Sequence, residues 1–463
     1  MSVYIYNSLS RKKEELLPVS PPKLNIYTCG VTVYDESHIG HARSLYIFDV
    51  IRRYLEFKGF KVNFVRNITD IDDKIINRAR ELEKDWKDIV SEYISKYYQD
   101  LKALGIKKGD SEPRATENIP EMIKYIQVLI EKGYAYQSKG DVYFNVRKFP
   151  FYGRLSGQSI DQLENSVRID RNEQKNDPLD FALWKESKEG EPFWESPWGR
   201  GRPGWHIECS VMSQRLLKTD TLDIHAGGRD LIFPHHENEI AQAEAFSGKP
   251  FAKYWIHHGL LTIDGQKMAK SAGNFVTIKN FLDKYHDADI LKLFFLSAHY
   301  SQPIDYTENR IEEVKKSLER INIFVTRIHD SRYKNLAWAK KKIRELEDLK
   351  KRFLEAMDND FNTPEALASV FDLVNIANKN IDNFDFAKNA ECLLVFFSDI
   401  LGVSLTRIDL QVDDGIERLI IQRNNARKQG DYKLSDKIRK ELEEKGIILE
   451  DTKDGKTIWR KKL

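Results

Sequence analysis

The sequence predicts an α/β protein: a parallel-sheet catalytic domain of Rossmann type carrying an insertion, then an α-helical bundle, then a small mixed C-terminal domain. Three observations predict it. A strand, a loop, a helix and a second strand follow one another near the N-terminus; a strand-and-loop pattern resumes after about residue 204; apolar residues take a three-or-four spacing beyond Thr307.

The opening unit is the most explicit. Lys23–Thr28 alternates towards an apolar strand and ends at Cys29-Gly30, and a helix runs from about His41 to Phe57 with Leu45, Phe48, Ile51 and Leu55 on one face. Gly59 ends it, and Lys61–Asn67 reads as a second strand. Such a βαβ unit implies a parallel sheet with its ligand site at the strand ends. Asp70–Trp86 reads as a polar loop running into another helix. From about Ser111 the character changes: Asn118–Lys132 is amphipathic, Ala135–Arg147 suggests a hairpin turning at Lys139-Gly140, and Phe181–Gly204 is aromatic and rich in Pro and Gly. Thr221–Gly228 and Tyr254–Ile263 restore the strand pattern, so 111–203 reads as an insertion. Ile311, Val314, Leu318, Ile321, Phe324 and Ile328 mark a long helix, and Asn362-Thr363-Pro364-Glu365 is a helix start with a polar cap and an early proline. A hairpin is expected near Gly446–Trp459. The resulting division is 1–110 and 204–250 for the two halves of the Rossmann-type domain, 111–203 for the insertion, 251–306 for a stem-contact region, 307–410 for the bundle and 411–463 for the last domain.

Composition narrows the function classes. With 463 residues, 41% hydrophobic and 32% charged, the chain is of globular type and long enough for about three domains. No apolar run approaches ~18 residues, so a membrane span is excluded, and Arg11–Glu15 stands where the apolar core of a secretory leader would lie. Three cysteines without a CxxC argue against a disulfide framework and fit a reducing cytoplasm. The net charge of +2 does not advertise nucleic-acid binding. The last 48 residues do carry 14 Lys/Arg against 9 Asp/Glu, with Trp459 among them: basic groups neutralise phosphates and a ring stacks on an unpaired base.

Three clusters carry chemistry. Ser37-His38-Ile39-Gly40-His41 sits where a strand turns into a helix, an anion site by virtue of its free N–H groups and dipole. His38 and His41 share one side of the first turn, and Gly40 lets a nucleotide approach the backbone. Lys267 and Lys270, three apart and followed by Gly273-Asn274, suit a polyphosphate whose negative charge grows as pyrophosphate leaves. Cys29, Cys209, His235, His236 and Glu239 offer two thiolates, imidazole and carboxylate for a tetrahedral ion. His235 and Glu239 are four apart and His236 and Glu239 three apart, so spacing does not choose between the histidines. Gly199-Arg-Gly201-Arg-Pro-Gly204 matches GxGxxG formally; with no apolar strand before it and Pro203 inside, it is expected to be a loop.

Taken together these segments resemble the cysteinyl-tRNA synthetase family of class I aminoacyl-tRNA synthetases. His38-Ile39-Gly40-His41 is its HIGH signature, and Lys267-Met268-Ala269-Lys270-Ser271 is similar to its KMSKS loop, departing at Ala269. Asn67–Asp73, Gly204–Cys209, Gly227–Glu239, Met357–Pro364 and Leu449–Thr452 extend the likeness, in order, over nearly the whole chain. The resemblance implies zinc held by Cys29, Cys209, His235 and Glu239 with a position left for the substrate thiolate. It implies ATP phosphates held by His38 and His41, pyrophosphate stabilised by Lys267 and Lys270, a ribose contact from Asp230, and an amino-acid pocket lined by Gly30, Thr69 and Trp205. The partners implied are tRNA(Cys), L-cysteine and ATP accompanied by Mg2+; a cytoplasmic monomer without membrane contact is expected. Lys292 and Ser301 stand where the family commonly has arginine. A ligase of cysteine to an amino sugar shares the core but lacks the C-terminal residues, a zinc hydrolase leaves both phosphate motifs unexplained, and a silent tRNA-binding module leaves the histidines and lysines idle.

Overall fold

The structure, a computed structural model, describes residues 2–160, 162, 175–269, 273–329, 340–406, 414–444, 447–451 and 457–461. Strands β1 (Tyr4–Asn7) and β2 (Lys12–Glu15) form a hairpin ahead of β3 (Lys23–Thr32), which crosses through helix α1 (Ile39–Phe57) to β4 (Lys61–Thr69). β3 and β4 are parallel, with Ile26 opposite Phe64, as the opening pattern predicts. Helices α2 (Asp73–Glu81) and α3 (Trp86–Ala103) follow. α2 replaces the expected polar loop: Asp72 caps it by accepting the Lys74 N–H at 2.9 Å, and Ile75, Ile76 and Ala79 are buried, a stripe too short to stand out in a charged segment.

The inserted segment builds its own layer. Helix α4 (Ile119–Glu131) precedes β5 (Ala135–Ser138), β6 (Asp141–Phe144), β7 (Phe181–Glu186) and β8 (Gly201–Pro203), an antiparallel sheet in that order. The hairpin turns at Lys139-Gly140 between β5 and β6. The GxGxxG stretch is not a loop throughout, as expected from sequence: it contributes β8, paired to β7 through Trp184↔Pro203, and Gly204 starts the next helix. β8 lies at the sheet edge, where proline's missing N–H costs no ladder bond. A Cβ on Gly204 would lie 2.0 Å from the Ala182 oxygen, so close strand packing, not phosphate binding, requires this glycine.

Helix α5 (Trp205–Leu217) leads back to β9 (Leu222–Gly228), and α6 (Glu237–Ser247) links it to β10 (Ala252–His258). The central sheet is parallel, in the order β10-β9-β3-β4. Strand order therefore reverses between β3 and β9, and the crevice outside their carboxyl ends is where such sheets bind ligands. Successive residues serve opposite faces: Tyr254 and Ile256 join one apolar layer with α1, Trp255 the other with α5 and α6. A three-stranded sheet of order β12-β11-β13 follows, from β11 (Leu261–Ile263), β12 (Gln266–Lys267) and β13 (Ile304–Tyr306), with α7 (Ile278–Tyr285) and α8 (Ala288–Leu296) between.

The bundle comprises α9 (Glu308–Ile328), α10 (Arg344–Asp358), α11 (Thr363–Lys379) and α12 (Phe384–Leu401). The predicted stripe on α9 faces inward, and Asn362 caps α11 by accepting the Glu365 N–H at 3.4 Å. Lys292, where the resemblance leads one to expect arginine, links α8 to the residue after α12: its Nζ donates to Asp289 at 2.9 Å and to the Gly402 carbonyl at 2.9 Å. Ser301 pairs with the His299 ring at 2.8 Å. Helices α13 (Asp414–Lys428) and α14 (Tyr432–Glu444) pack with the hairpin β14 (Ile447–Asp451) and β15 (Thr457–Lys461) on a separate small core of Ile420, Ile438, Leu442, Ile447 and Leu449. The side chain of Trp459 lies outside the described residues. No helix among the described residues is long and apolar enough to cross a membrane.

Asp360 joins three of these layers. Its carboxylate accepts from the Tyr6 N–H at 2.8 Å and the Tyr300 hydroxyl at 2.7 Å, while its backbone adopts φ +63°. Asp360→Ala is expected to leave the buried Tyr300 hydroxyl and the Tyr6 N–H without this acceptor, at a left-handed backbone position, and to lower unfolding free energy by about 3 kcal/mol in urea titration.

Candidate functional site

β3 does not run evenly beside β4. Its register shifts between Thr28 and Val31, and Cys29-Gly30 occupies the irregularity. A bulge of this kind re-aims side chains at a strand end. Gly30 donates its N–H to the Asn67 side-chain oxygen at 2.8 Å, and a Cβ there would sit 1.6 Å from the Asn67 main-chain oxygen, so only glycine fits. The Cys29 Sγ meets Cys209 Sγ of α5 at 3.8 Å, Glu239 Oε1 of α6 at 3.4 Å and His236 Nε2 at 3.3 Å. His235 Nε2 lies 2.8 Å from the same Glu239 oxygen, and His225 Nε2 of β9 lies 2.5 Å from the other.

Two overlapping quartets arise, Cys29–Cys209–His235–Glu239 and Cys29–His225–His236–Glu239, each with its donor atoms within 4.8 Å of one another. The first is the quartet the resemblance implies. Its outer atoms also have partners: the His235 ring meets His206 Nδ1 at 3.0 Å, and Glu239 keeps His225. His236, the alternative that spacing left open, turns its Nδ1 to His257 Nε2 at 2.8 Å. Electrostatics mark the cluster as a place where charge is offset locally. Burial, then Cys209 and Glu239, push the Cys29 thiol well above its usual range. Against the burial penalty, a hydrogen bond with Cys29 and the charge on His235 bring Cys209 down to about 6. Burial likewise opposes charge on His235, yet the Glu239 carboxylate lifts it to about 10. Such a donor set can hold a divalent metal.

The second element is the start of α1. His38 caps the helix: its Nδ1 accepts the His41 N–H at 3.3 Å, while His41 Nδ1 accepts the His38 N–H at 3.4 Å, with the rings stacked at 3.7 Å. Because each Nδ1 accepts a backbone N–H, each neutral ring carries its proton on Nε2. Burial, with His38 and Lys74 nearby, lowers His41 to about 3, so it is neutral near pH 7. A Cβ on Gly40 would meet the His38 ring at 2.9 Å and the Met268 Cε at 3.4 Å, which places the lysine-bearing loop against this helix start. Asn274 braces that loop, accepting the Ala269 N–H at 2.9 Å and donating to the Lys267 carbonyl at 3.2 Å. Lys267 is exposed at the end of β12. Lys270 lies outside the described residues.

The remaining expected residues come from β4, the start of α5 and the turn after β9. Asp230 is exposed just past β9, its Oδ1 2.3 Å from where a Cβ on Gly228 would lie. Trp205 is 37% exposed and stacks on His235 at 4.0 Å. Thr69 is buried; its hydroxyl donates to Glu208 at 2.8 Å and accepts from Asn67 at 3.3 Å. Sequence reading missed His225, Glu208 and the Asn67 side chain. The signal for His225 was present: it is one of two polar residues, with Asp223, in the strand Leu222–Gly228, whose whole length is buried.

Comparison with known proteins agrees with this geometry. Residues 15–316 match the family described as tRNA synthetases class I (C) catalytic domain, and 352–406 match the DALR domain. The chain is 49% identical to a cysteine–tRNA ligase of Anoxybacillus flavithermus over 468 residues, covering 100% of both proteins. It is 49% identical to one of Geobacillus thermodenitrificans over 471 residues, covering 99% of each. Among solved structures, Mycobacterium tuberculosis methionyl-tRNA synthetase in complex with methionyl-adenylate superposes with a TM-score of 0.64 at 15% identity, covering 83% of this chain and 92% of that one. That likeness concerns the fold alone.

Gly30→Ala forces a methyl group into the Asn67 carbonyl. It is expected to cost about 3 kcal/mol of stability, read as a lower urea midpoint.

Proposed function

Since the chain belongs to the cysteine–tRNA ligases, a family of class I aminoacyl-tRNA synthetases that join cysteine to tRNA at the expense of ATP, we propose that it works through a cysteinyl-adenylate and selects its amino acid by metal–thiolate coordination. The observation that carries this reading is the Cys29–Cys209–His235–Glu239 quartet built on β3, the strand that leads into the histidine-bearing start of α1. Two thiolates, one imidazole and one carboxylate fit zinc better than a hard cation. Held there, zinc would supply a soft Lewis acid with a place for the substrate sulfur. Cysteine and serine differ by sulfur for oxygen, and an apolar pocket separates near-isosteres weakly, so a chemical difference in donor softness is the effective discriminator.

The chain's own residues account for the remaining roles. Gly30, Thr69 and Trp205 bound the amino-acid pocket beside the quartet, with Thr69 held by Glu208 and Asn67. His38 and His41 donate from Nε2 to the ATP phosphates while the amino-acid carboxylate attacks the α-phosphorus. The phosphorus–oxygen bond to pyrophosphate breaks, Lys267 and Lys270 offset the charge that accumulates there, and Asp230 accepts from the ribose. The cysteinyl group then passes to the hydroxyl of the tRNA(Cys) 3′ end, releasing AMP. Catalysis is positioning and charge stabilisation. Mg2+ accompanies ATP, the enzyme acts as a cytoplasmic monomer, and the work divides as 1–110 and 204–250 for chemistry, 111–203 for the insertion, 251–306 for stem contact, 307–410 for the bundle and 411–463 for the anticodon.

Pyrophosphate exchange with each amino acid tests the reading. Cysteine alone is expected to support exchange, and a chelator to remove it; serine exchanging as readily would sink the selection mechanism. Cys209→Ser is expected to lower bound zinc, measured by elemental analysis, together with cysteine affinity, by about tenfold or more. Truncation before Ile416 removes a domain with its own apolar core. It is expected to reduce tRNA charging about tenfold or more while leaving exchange within about twofold.

A further inference from the structure

Arg43 is two residues past His41 on α1 and is fully buried. Its Nη1 donates to the carbonyls of Gly259 at 2.7 Å and Leu260 at 2.8 Å, and its Nη2 to those of Tyr300 at 3.2 Å and Gln302 at 2.6 Å. All four acceptors are main-chain, its Nε has no partner, and among the described residues it forms no ion pair. Taking a guanidinium out of water is costly, and burial accordingly lowers this one to about 10. A neutral side chain would be the cheaper way to fill the space, so the fork does something packing does not.

What it grips is informative. Gly259-Leu260 leads directly into β11, and Tyr300–Gln302 into β13, its parallel neighbour with Leu261 opposite Ile304. The same sheet carries β12 and Lys267. The two segments run so close that a Cβ on Gly259 would lie 2.2 Å from the Gln302 oxygen. The far end of the lysine-bearing stretch is tied to α1 as well: Ile39 donates to the Val276 carbonyl at 3.1 Å and Ile278 to the Ser37 carbonyl at 2.9 Å. The lysine-bearing stretch, described over 261–269 and 273–276, is therefore a strap fastened to the histidine-bearing helix at both ends, by Arg43 at one and by backbone bonds at the other.

We infer that Arg43 is a positioning residue that sets the distance between the His38–His41 helix start and the Lys267-bearing strap. It touches no substrate and acts through the strap. Its consequence for catalysis rests on the adenylate reading above. Lysine at this position keeps the charge but is a point donor without a planar fork, and so cannot span both strands.

Arg43→Lys and Arg43→Gln, made in the full chain, test this by hydrogen–deuterium exchange and by steady-state pyrophosphate exchange. In Arg43→Lys, amides of 261–267 and 304–306 are expected to exchange at least about tenfold faster, with 23–32 and 61–69 unchanged. The KM for ATP is expected to rise about tenfold while that for cysteine stays within about twofold. Unchanged protection of the strap, or equal rises in both KM values, overturns the inference; should Arg43→Gln fail to fold, Arg43→Lys decides. If the native chain supports exchange with no amino acid, the adenylate reading fails, and strap protection still decides whether Arg43 fastens it.

Discussion

Two thiols, an imidazole and a carboxylate share one small volume where half-buried Cys29 meets buried Cys209, His235 and Glu239. The thiolates and the carboxylate repel one another when ionised and are penalised by burial, so a cation or shared protons must offset them. The surrounding architecture answers that constraint. A register shift in β3 turns Cys29 out of the ladder, Gly30 permits the close approach of β4, α5 supplies Cys209, and the turn into α6 supplies His235 and Glu239. The outer histidines, His206 and His225, hold the imidazole and the carboxylate in place.

The second constraint is adjacency. Strand order reverses between β3 and β9, so α1 starts beside the cluster and its dipole faces the same crevice. One strand thus carries Cys29 near its end while the helix that follows begins with the His38–His41 pair. On the reading proposed above, sulfur recognition and phosphate handling serve one molecule, an amino acid joined to a nucleotide phosphate as a mixed anhydride. The lysine-bearing strap belongs to this opening because both its ends are anchored on α1, and the bundle is tied in through Lys292 and Asp360.

Much of this was legible in the residues. The parallel βαβ unit, the antiparallel hairpin at Lys139-Gly140, the stripe on α9 and the cap at Asn362 all follow from local pattern and are present where expected. Failures came where tertiary contact outweighs pattern. A helix forms at Asp73–Glu81 because three small apolar positions find a core, and Gly201–Pro203 pairs as an edge strand because β7 offers a partner. His225 and Glu208 were missed because a polar residue in a strand or helix does not by itself say which groups it will meet: His225 meets Glu239 and Glu208 meets Thr69 only through packing.

Sequence by itself determined which donors exist and how they are spaced along single elements: the two histidines of one helical turn, the paired lysines, the His235–Glu239 step. It could not bring Cys29 to Cys209 across 180 positions, because that depends on where separate elements pack. The tertiary structure decided it, along with the convergence of four carbonyls on Arg43, and it places His235 in one donor quartet and His236 in the other. Periodicity is a property of neighbours in the chain, whereas coordination and clamping are properties of neighbours in space.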